Sequence, residues 1–410
     1  MTAPRQADAA QLRVALVAPF GLRPKGTTAA RVMPIARVLA SEGAAVRVVI
    51  PPWDDPASAR QRWLLGLVDV VHTRASTPPL GPAAVAAQIF RTVQTWRPHV
   101  VHAFKPIGYS GLASWPLARM MGSDGRRRRP LVIVDADDLE GLRGWAGRER
   151  MGLAGALRGA QERWTLRRAD GVTVASRWLE SYVSELGVSP ERVRYLPNGQ
   201  EVGPEHCEAR GRDAASQSAR QPRLLWYTRF TEADPERAAR LVAPLLAHGA
   251  ARLTVVGEEI HDGSREALRS ACARHGIDNR IEWAAYDPAV LGALPRDPSP
   301  LVAIYPLDDD LVNRARCPSK IPQLMALGIP VVAEAVGEAV SYLAGFEERC
   351  LAAPGDTQGF RTRVDRLLND DGTRRAVATG LRAAAERWRW DRTAAGLFEW
   401  YRTALARAGH

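Results

Sequence analysis

Residues 316–338 read RCPSKIPQLMALGIPVVAEAVGE. A Cys-Pro-Ser-Lys turn opens an apolar-periodic segment, Gly328 stops it, and the apolar run Pro330-Val331-Val332-Ala333 follows. Pro318 suits a helix start, where the N–H it lacks would go unpaired anyway. Ser319 is a capping residue type, and the free N–H groups around Lys320 would point at an anion. Gly328 fits the position just past a helix end, and residues 331–333 read as a buried strand. Turn, helix, glycine and strand make half of an α/β unit with an anion seat at its mouth.

The same alternation runs outward in both directions. Residues 12–18 are a near-continuous apolar run, the mark of a strand covered on both faces. A loop with Gly21, Lys25 and Gly26 leads to a helix over 29–41 and a strand over 46–50. Further strands are expected at 68–72, 99–104, 131–134, 170–176 and 193–196, with helices at 83–96, 155–168 and 177–186, the last capped by Ser176. Residues 201–222 are polar and read as a linker. Strands restart at 224–230, 252–256, 280–283 and 301–305, and 359–385 reads as helices. The fold class this predicts is α/β, with two Rossmann-like, doubly wound domains at 1–203 and 223–387 and a linker at 204–222.

A chain of 410 residues is long enough for two cores, and 46% hydrophobic with 25% charged residues is ordinary for a soluble globular protein. No apolar segment is long enough to span a bilayer, and the first residues show no signal core. The four cysteines are scattered without metal-ligand spacing and read as free thiols of a reducing cytoplasm. The formal charge of +11 is carried almost wholly by arginine. No RNA-binding signature or helix-turn-helix accompanies it, so nucleic acid is not expected as a partner. Anionic small molecules remain, as does peripheral association with the inner face of an anionic membrane, which the Arg-rich 155–168 helix and the Arg126–Arg129 cluster fit. For that cluster a solvated surface loop is the plainer reading.

The three lysines, Lys25, Lys105 and Lys320, each follow a strand-like run. Ligands of open α/β sheets bind beyond strand C-termini, and lysine suits a phosphate as a point charge. Asp135, Asp137 and Asp138 form a carboxylate-rich loop after the 131–134 strand. They read as hydrogen-bonding contacts to a bound ligand, as Mg²⁺ ligands, or as a loop-capping cluster. His102 ends another strand as either a general base or a core histidine. Asp308, Asp309 and Asp310 follow the 301–305 strand, facing either ligand hydroxyls or neighbouring arginines.

The 316–338 stretch resembles the donor-binding segment of glycosyltransferase family 4, which commonly reads Pro-x-Lys-x-x-Glu-Tyr-Met-Ala-x-Gly-x-Pro-Val-Val-Ala. Pro318, Lys320, Met325, Ala326, Gly328, Pro330, Val331, Val332 and Ala333 are in register. The resemblance covers nearly the whole chain, the N-terminal half more by layout than by motif. It implies the GT-B fold, in which two Rossmann-like domains face a central cleft and a final helix, here about 388–410, crosses back onto the first. It also implies transfer from a nucleotide-sugar, held by the C-terminal domain, to a glycan, lipid-linked or small-molecule acceptor on the N-terminal domain. Configuration would be retained by a front-face route, and neither a cofactor nor a metal is expected.

Carried over by residue, the donor would be held by Arg229 and Lys320 on the diphosphate, with Ser319, Gln323, Gly257, Glu258, Tyr286 near the base, and Gly26. Asp138, Asp137 and His102 are the catalytic candidates, and Lys25, Lys105 and Asp135 the acceptor contacts. Four positions depart from the family. Gln323 stands where a ribose-binding Glu is usual, Ala315 where the first Glu of that motif falls, Asp234 where a Lys follows Arg229, and Phe104 where a second His is common. Arg237 is a candidate to substitute for the missing Lys. These departures keep a degenerate, non-catalytic binding subunit open as an alternative, beside an inverting or phosphorylase-like GT-B enzyme.

Overall fold

The structure, a computed structural model, describes residues 11–22, 26–52, 55–74, 81–117, 129–201, 221–247, 251–287, 291–292, 294 and 299–409. Lys25, Arg126 to Arg128 and nearly all of the expected linker lie outside the described residues. The chain divides into two compact units, Met1–Asn198 with Thr393–His410, and Gly199–Arg392.

The first unit is built on eight strands: β1 (Arg13–Val17), β2 (Ala45–Ile50), β3 (Arg62–Leu65), β4 (Val68–His72), β5 (Val100–Phe104), β6 (Leu131–Ala136), β7 (Gly171–Val174) and β8 (Val193–Tyr195). Their order across the sheet is β3-β4-β2-β1-β5-β6-β7-β8, parallel except for the antiparallel β3–β4 edge pair. The order reverses between β1 and β5, the switch point beside which such sheets bind ligands. Every residue of β5 and of β6 is buried, which is why these strands read as unbroken apolar runs. Sequence reading missed β3, which is largely exposed, and the Gly108–Leu117 helix. The expected 29–41 helix opens as a π-helical turn, Thr28–Val32, before Met33–Ser41 becomes α-helical.

The second unit carries β9 (Arg223–Thr228), β10 (Arg252–Gly257), β11 (Ile281–Ala284), β12 (Leu301–Tyr305), β13 (Val331–Glu334) and β14 (Leu351–Ala352). The all-parallel order β11-β10-β9-β12-β13-β14 is the dinucleotide-fold order, with its switch point between β9 and β12.

The Lys320–Ala326 helix ends as its sequence demands. Gly328 has φ +67°, its N–H donates to Met325 O at 2.9 Å, and the Ile329 N–H reaches Leu324 O at 3.0 Å. This pair of bonds satisfies carbonyls the helix end would otherwise orphan. The helix start differs from expectation. It begins at Lys320, and Ser319 itself has helical dihedrals with no side-chain cap bond.

Candidate active site

In the second unit the turn after β9 folds around one carboxylate. Glu232 is 1% exposed. It accepts from Thr228 Oγ1 at 2.7 Å, from the Arg229 N–H at 3.1 Å and from the Thr231 N–H at 3.0 Å. Lys320 Nζ completes the set at 3.1 Å. The turn needs this support because Phe230 has φ +61°, a conformation non-glycine residues seldom hold. Burial alone would raise the Glu232 carboxyl, but Lys320, Arg316 and the Thr228 and Arg229 donors outweigh it and hold it well below the usual carboxylate range. Lys320 is lowered to about 8, chiefly by burial and also by the nearby Arg316 and Arg229, against the opposing pull of Glu232.

The expected donor residues gather here to differing degrees. Arg229 and Lys320 share Glu232, one through its main chain and one through its ammonium. Arg229 Nη1 reaches Glu258 at 3.4 Å, so Glu258 faces the arginine. Gly257 ends β10 flush against β9, where a Cβ would lie 1.9 Å from Thr228 O, so packing alone demands a glycine. Tyr286 stacks on Tyr227, with centroids 5.4 Å apart and planes 1° from parallel, and Lys320 Nζ lies 5.3 Å from the Tyr227 ring centre. Tyr227 thus covers one face of Tyr286. Gln323 is half-buried one turn beyond Lys320. Gly26, in the first unit, is exposed, and a side chain there would meet nothing within 4 Å.

One of the four departures, Asp234, has a structural explanation. Asp234 caps the Pro235–Ala247 helix, accepting from the N–H groups of Glu236 and Arg237 at 3.1 and 2.9 Å. Arg237 does not replace the missing lysine, because its guanidinium is held by Glu334 in a bidentate pair and by Asp308. The 308–310 acids turn to protein partners. Asp309 pairs with Arg314, and Asp310 caps the Leu311–Ala315 helix.

In the first unit the arrangement inverts. Lys105 follows β5 with φ +66° and is 5% exposed. Its ammonium lies 2.9 Å from Asp137, 2.8 Å from Asp138 and 2.6 Å from Glu140, and Arg158 pairs with the far oxygen of Glu140 at 2.9 Å. Burial would lower Lys105, yet the three carboxylates hold it well above its ordinary value. Burial raises Asp137 to about 7, with Asp138 and Asp135 adding to the rise and Lys105 opposing it. Asp137, Asp138 and Glu140 each offer an oxygen within 4.8 Å of the others, as a divalent ion would require. The ammonium, hydrogen-bonded to Asp138 and Glu140 and ion-paired with Asp137, brings positive charge to the cluster. Of the three, Asp138 reaches solvent most, at 21% side-chain exposure.

Two candidates fall to a separate buried chain. Asp135 is fully buried and takes a bidentate pair from Arg31 at 2.8 and 2.6 Å, so it is not an acceptor contact. Thr173 donates its one hydroxyl proton to Asp135 at 2.6 Å. It must therefore accept from His102 Nε2, 2.9 Å away. That leaves His102 Nδ1 to accept from the Tyr401 hydroxyl at 2.7 Å. His102 is 0% exposed, and burial lowers it to about 4, against Asp135. It is a neutral core histidine with both nitrogens bonded, not a general base. At the far end Arg31 donates to Asn198 at 3.0 Å.

Sequence reasoning missed Glu232, Arg316, Glu140 and Arg31. For Glu232 the available signal was an acid three residues after Arg229 in a turn leaving a strand. For Glu140 it was the continuation of the acidic loop.

Comparison with known proteins agrees with both sheets. Residues 26–199 match the model described as a glycosyl transferase 4-like domain, and 221–370 match glycosyl transferases group 1. Among curated relatives, a D-inositol 3-phosphate glycosyltransferase of Acidothermus cellulolyticus is 29% identical over 268 residues, covering 58% of this chain and 55% of the relative. A 2-deoxystreptamine glucosyltransferase of Streptomyces kanamyceticus is 29% identical over 240 residues, covering 55% and 58%. The chain thus spans about half the length of these relatives. Sucrose-phosphate synthase from Thermosynechococcus elongatus superposes over 97% of this chain and 100% of its own, with TM-score 0.72 and 16% identity. Anabaena HepE in complex with UDP-glucose does so over 96% and 99%, with TM-score 0.66 and 14% identity. With its two Rossmann-like sheets, the chain belongs to the GT-B glycosyltransferases of family 4 type.

Proposed function

We propose that the protein transfers a glycosyl group from a nucleotide-sugar, bound by the second unit, to a hydroxyl of an acceptor bound by the first, with retention of configuration. The observation that carries this reading is the convergence of Arg229 and Lys320 on Glu232 at the β9 end, beside the switch point. Breaking the anomeric C–O bond leaves a nucleoside diphosphate whose new charge needs fixed cations and N–H donors. Arg229, Lys320 and Arg316 offer three positive charges against the carboxylates of Glu232 and Glu258, a net excess suited to a diphosphate.

Retention is favoured by the state of the candidate bases. His102 and Asp135 are sealed in the core, and Asp137 is bound to Lys105. The acceptor proton then passes to the departing phosphate oxygen as the acceptor oxygen bonds to the anomeric carbon on the same face. Asp138, the most open of the three carboxylates, orients the acceptor hydroxyl. A hydroxylated ring is the acceptor class to try first, because the named relatives glycosylate an inositol phosphate and 2-deoxystreptamine.

The test is incubation with UDP-glucose and other nucleotide-sugars plus cyclitol acceptors, with the product anomer read by NMR. A retained anomer supports the reading and an inverted one overturns the proton route. A nucleoside diphosphate panel that never raises the melting temperature removes the donor site itself.

A further inference from the structure

Ten large apolar side chains are exposed among the described residues, and six of them, Leu112, Trp115, Leu142, Met151, Leu153 and Leu157, fall on one region of the first unit. Leu153 is 78% exposed and Leu157, one turn later on the Gly152–Arg168 helix, 64%. Further along that face Trp164 meets Trp115 edge-on, ring centres 5.7 Å apart, which carries the strip onto the Gly108–Leu117 helix. Leu142 packs over the buried Gly155 on the other side of that helix and lies outside the strip. Scattered apolar residues on a surface need no explanation, but a continuous strip does.

The surroundings of the strip identify its occupant. Residues 142–168 hold seven arginines and two glutamates, a net +5. One of the glutamates, Glu162, is buried, its two oxygens accepting from the N–H groups of Glu140 and Gly141. Arg143, Arg150, Arg163, Arg167 and Arg168 are exposed. Arg168 lies 5.3 Å from the Trp164 ring centre, pairing a cation with an aromatic at the edge of the strip. Leucine and tryptophan ringed by arginine match the chemistry of a bilayer surface, where apolar groups enter the acyl boundary and cations meet anionic headgroups.

We propose that the face carrying Leu153, Leu157, Trp164 and Trp115, with its arginine rim, docks on an anionic lipid bilayer. This docking stands on the surface alone and holds whichever acceptor the protein glycosylates.

Flotation of the full chain with vesicles tests it. With phosphatidylcholine alone the protein stays at the bottom; with phosphatidylglycerol included it floats, less so as salt is raised. The double variant Leu153→Ser with Leu157→Ser keeps the wild-type melting temperature and loses binding about tenfold or more. If the double variant lost its thermal transition, Leu153→Ser alone, at the most exposed position, would serve. Arg163→Gln with Arg168→Gln weakens binding and lessens its salt dependence. No flotation with phosphatidylglycerol at low salt overturns the proposal, as does a folded leucine variant that floats like wild type. A dimer in solution that the leucine variant abolishes, without vesicle binding, assigns the strip to a second copy of the chain and also overturns it.

Discussion

The polar clusters of the two units are opposites. In the second unit a buried carboxylate, Glu232, gathers an ammonium and main-chain N–H groups, with Arg316 nearby. In the first a buried ammonium, Lys105, gathers three carboxylates. Each cluster flanks the switch point of a parallel sheet, and each is tied to a non-glycine residue with positive φ, Phe230 or Lys105 itself. The first arrangement leaves an excess of positive charge and the second an excess of negative charge. One architecture, used twice, therefore presents a cation-rich cluster once and a carboxylate-rich cluster once, as the proposed donor and acceptor sites would need. The difference lies in which sign of charge is buried first.

Removing the central charge should break each cluster. Glu232→Ala is expected to cost about 3–5 kcal/mol by urea unfolding, since it strands Lys320 and the turn's N–H groups. Lys105→Met should cost a similar amount at pH 8 and less at pH 5, where protonation of Asp137 relieves the repulsion it leaves. An equal loss at both pH values would show that the two clusters are not opposites in charge logic.

Next in size are the donor cations. Lys320→Ala and Arg229→Ala should each lower kcat/KM about 10²–10³-fold, as loss of a fixed group facing developing charge commonly does. Asp138→Asn should act mainly on acceptor KM. A reversed pattern, with Asp138→Asn weakening nucleotide binding, would erase the division between the proposed donor and acceptor sites.

Tyr401→Phe removes the donor to His102 and should cost about 1–3 kcal/mol, read as a lower urea midpoint without change in donor affinity. The smallest effect concerns pH. Burial raises Glu162 to about 7, opposed by the Glu140 N–H, so the folded state binds its proton more tightly than the unfolded chain. Its contribution to stability is fully present below the ordinary carboxylate value near 4 and is lost as pH rises through about 7. Glu162→Gln should flatten the fall of melting temperature over that window, and an unchanged slope would exclude Glu162 as its source.

Strands and helices that the sequence marked by period and punctuation are present, down to the glycine turn at Gly328 and the Ser176 cap, whose oxygen accepts from the Leu179 N–H at 3.1 Å. Where a motif fixed the spacing, as for Arg229 and Lys320, the expected neighbours do come together, on Glu232. Asp135 was misread, and the two readings of His102 stayed open, because every residue of β5 and β6 is buried, so no alternation shows which face each side chain takes. Their partners also lie far away in sequence, Tyr401 being 299 residues from His102 and Arg31 being 104 from Asp135. Glu232 has no such motif signal, since the family spacing points five residues beyond Arg229, to Asp234, which is a helix cap.

The Tyr401–His102 bond has a consequence for the order of events at the ribosome. The first unit's core holds a polar chain whose final donor is synthesised only after residues Gly199–Arg392 of the second unit have emerged. At about 5–20 residues per second that is a delay of roughly 10–40 s. During this interval His102 faces the place of the missing Leu397–Arg407 helix with one ring nitrogen unanswered. The N-terminal half of the nascent chain therefore waits in an incomplete state, and truncation before Tyr401 should leave a collapsed but unsealed intermediate that chaperones retain.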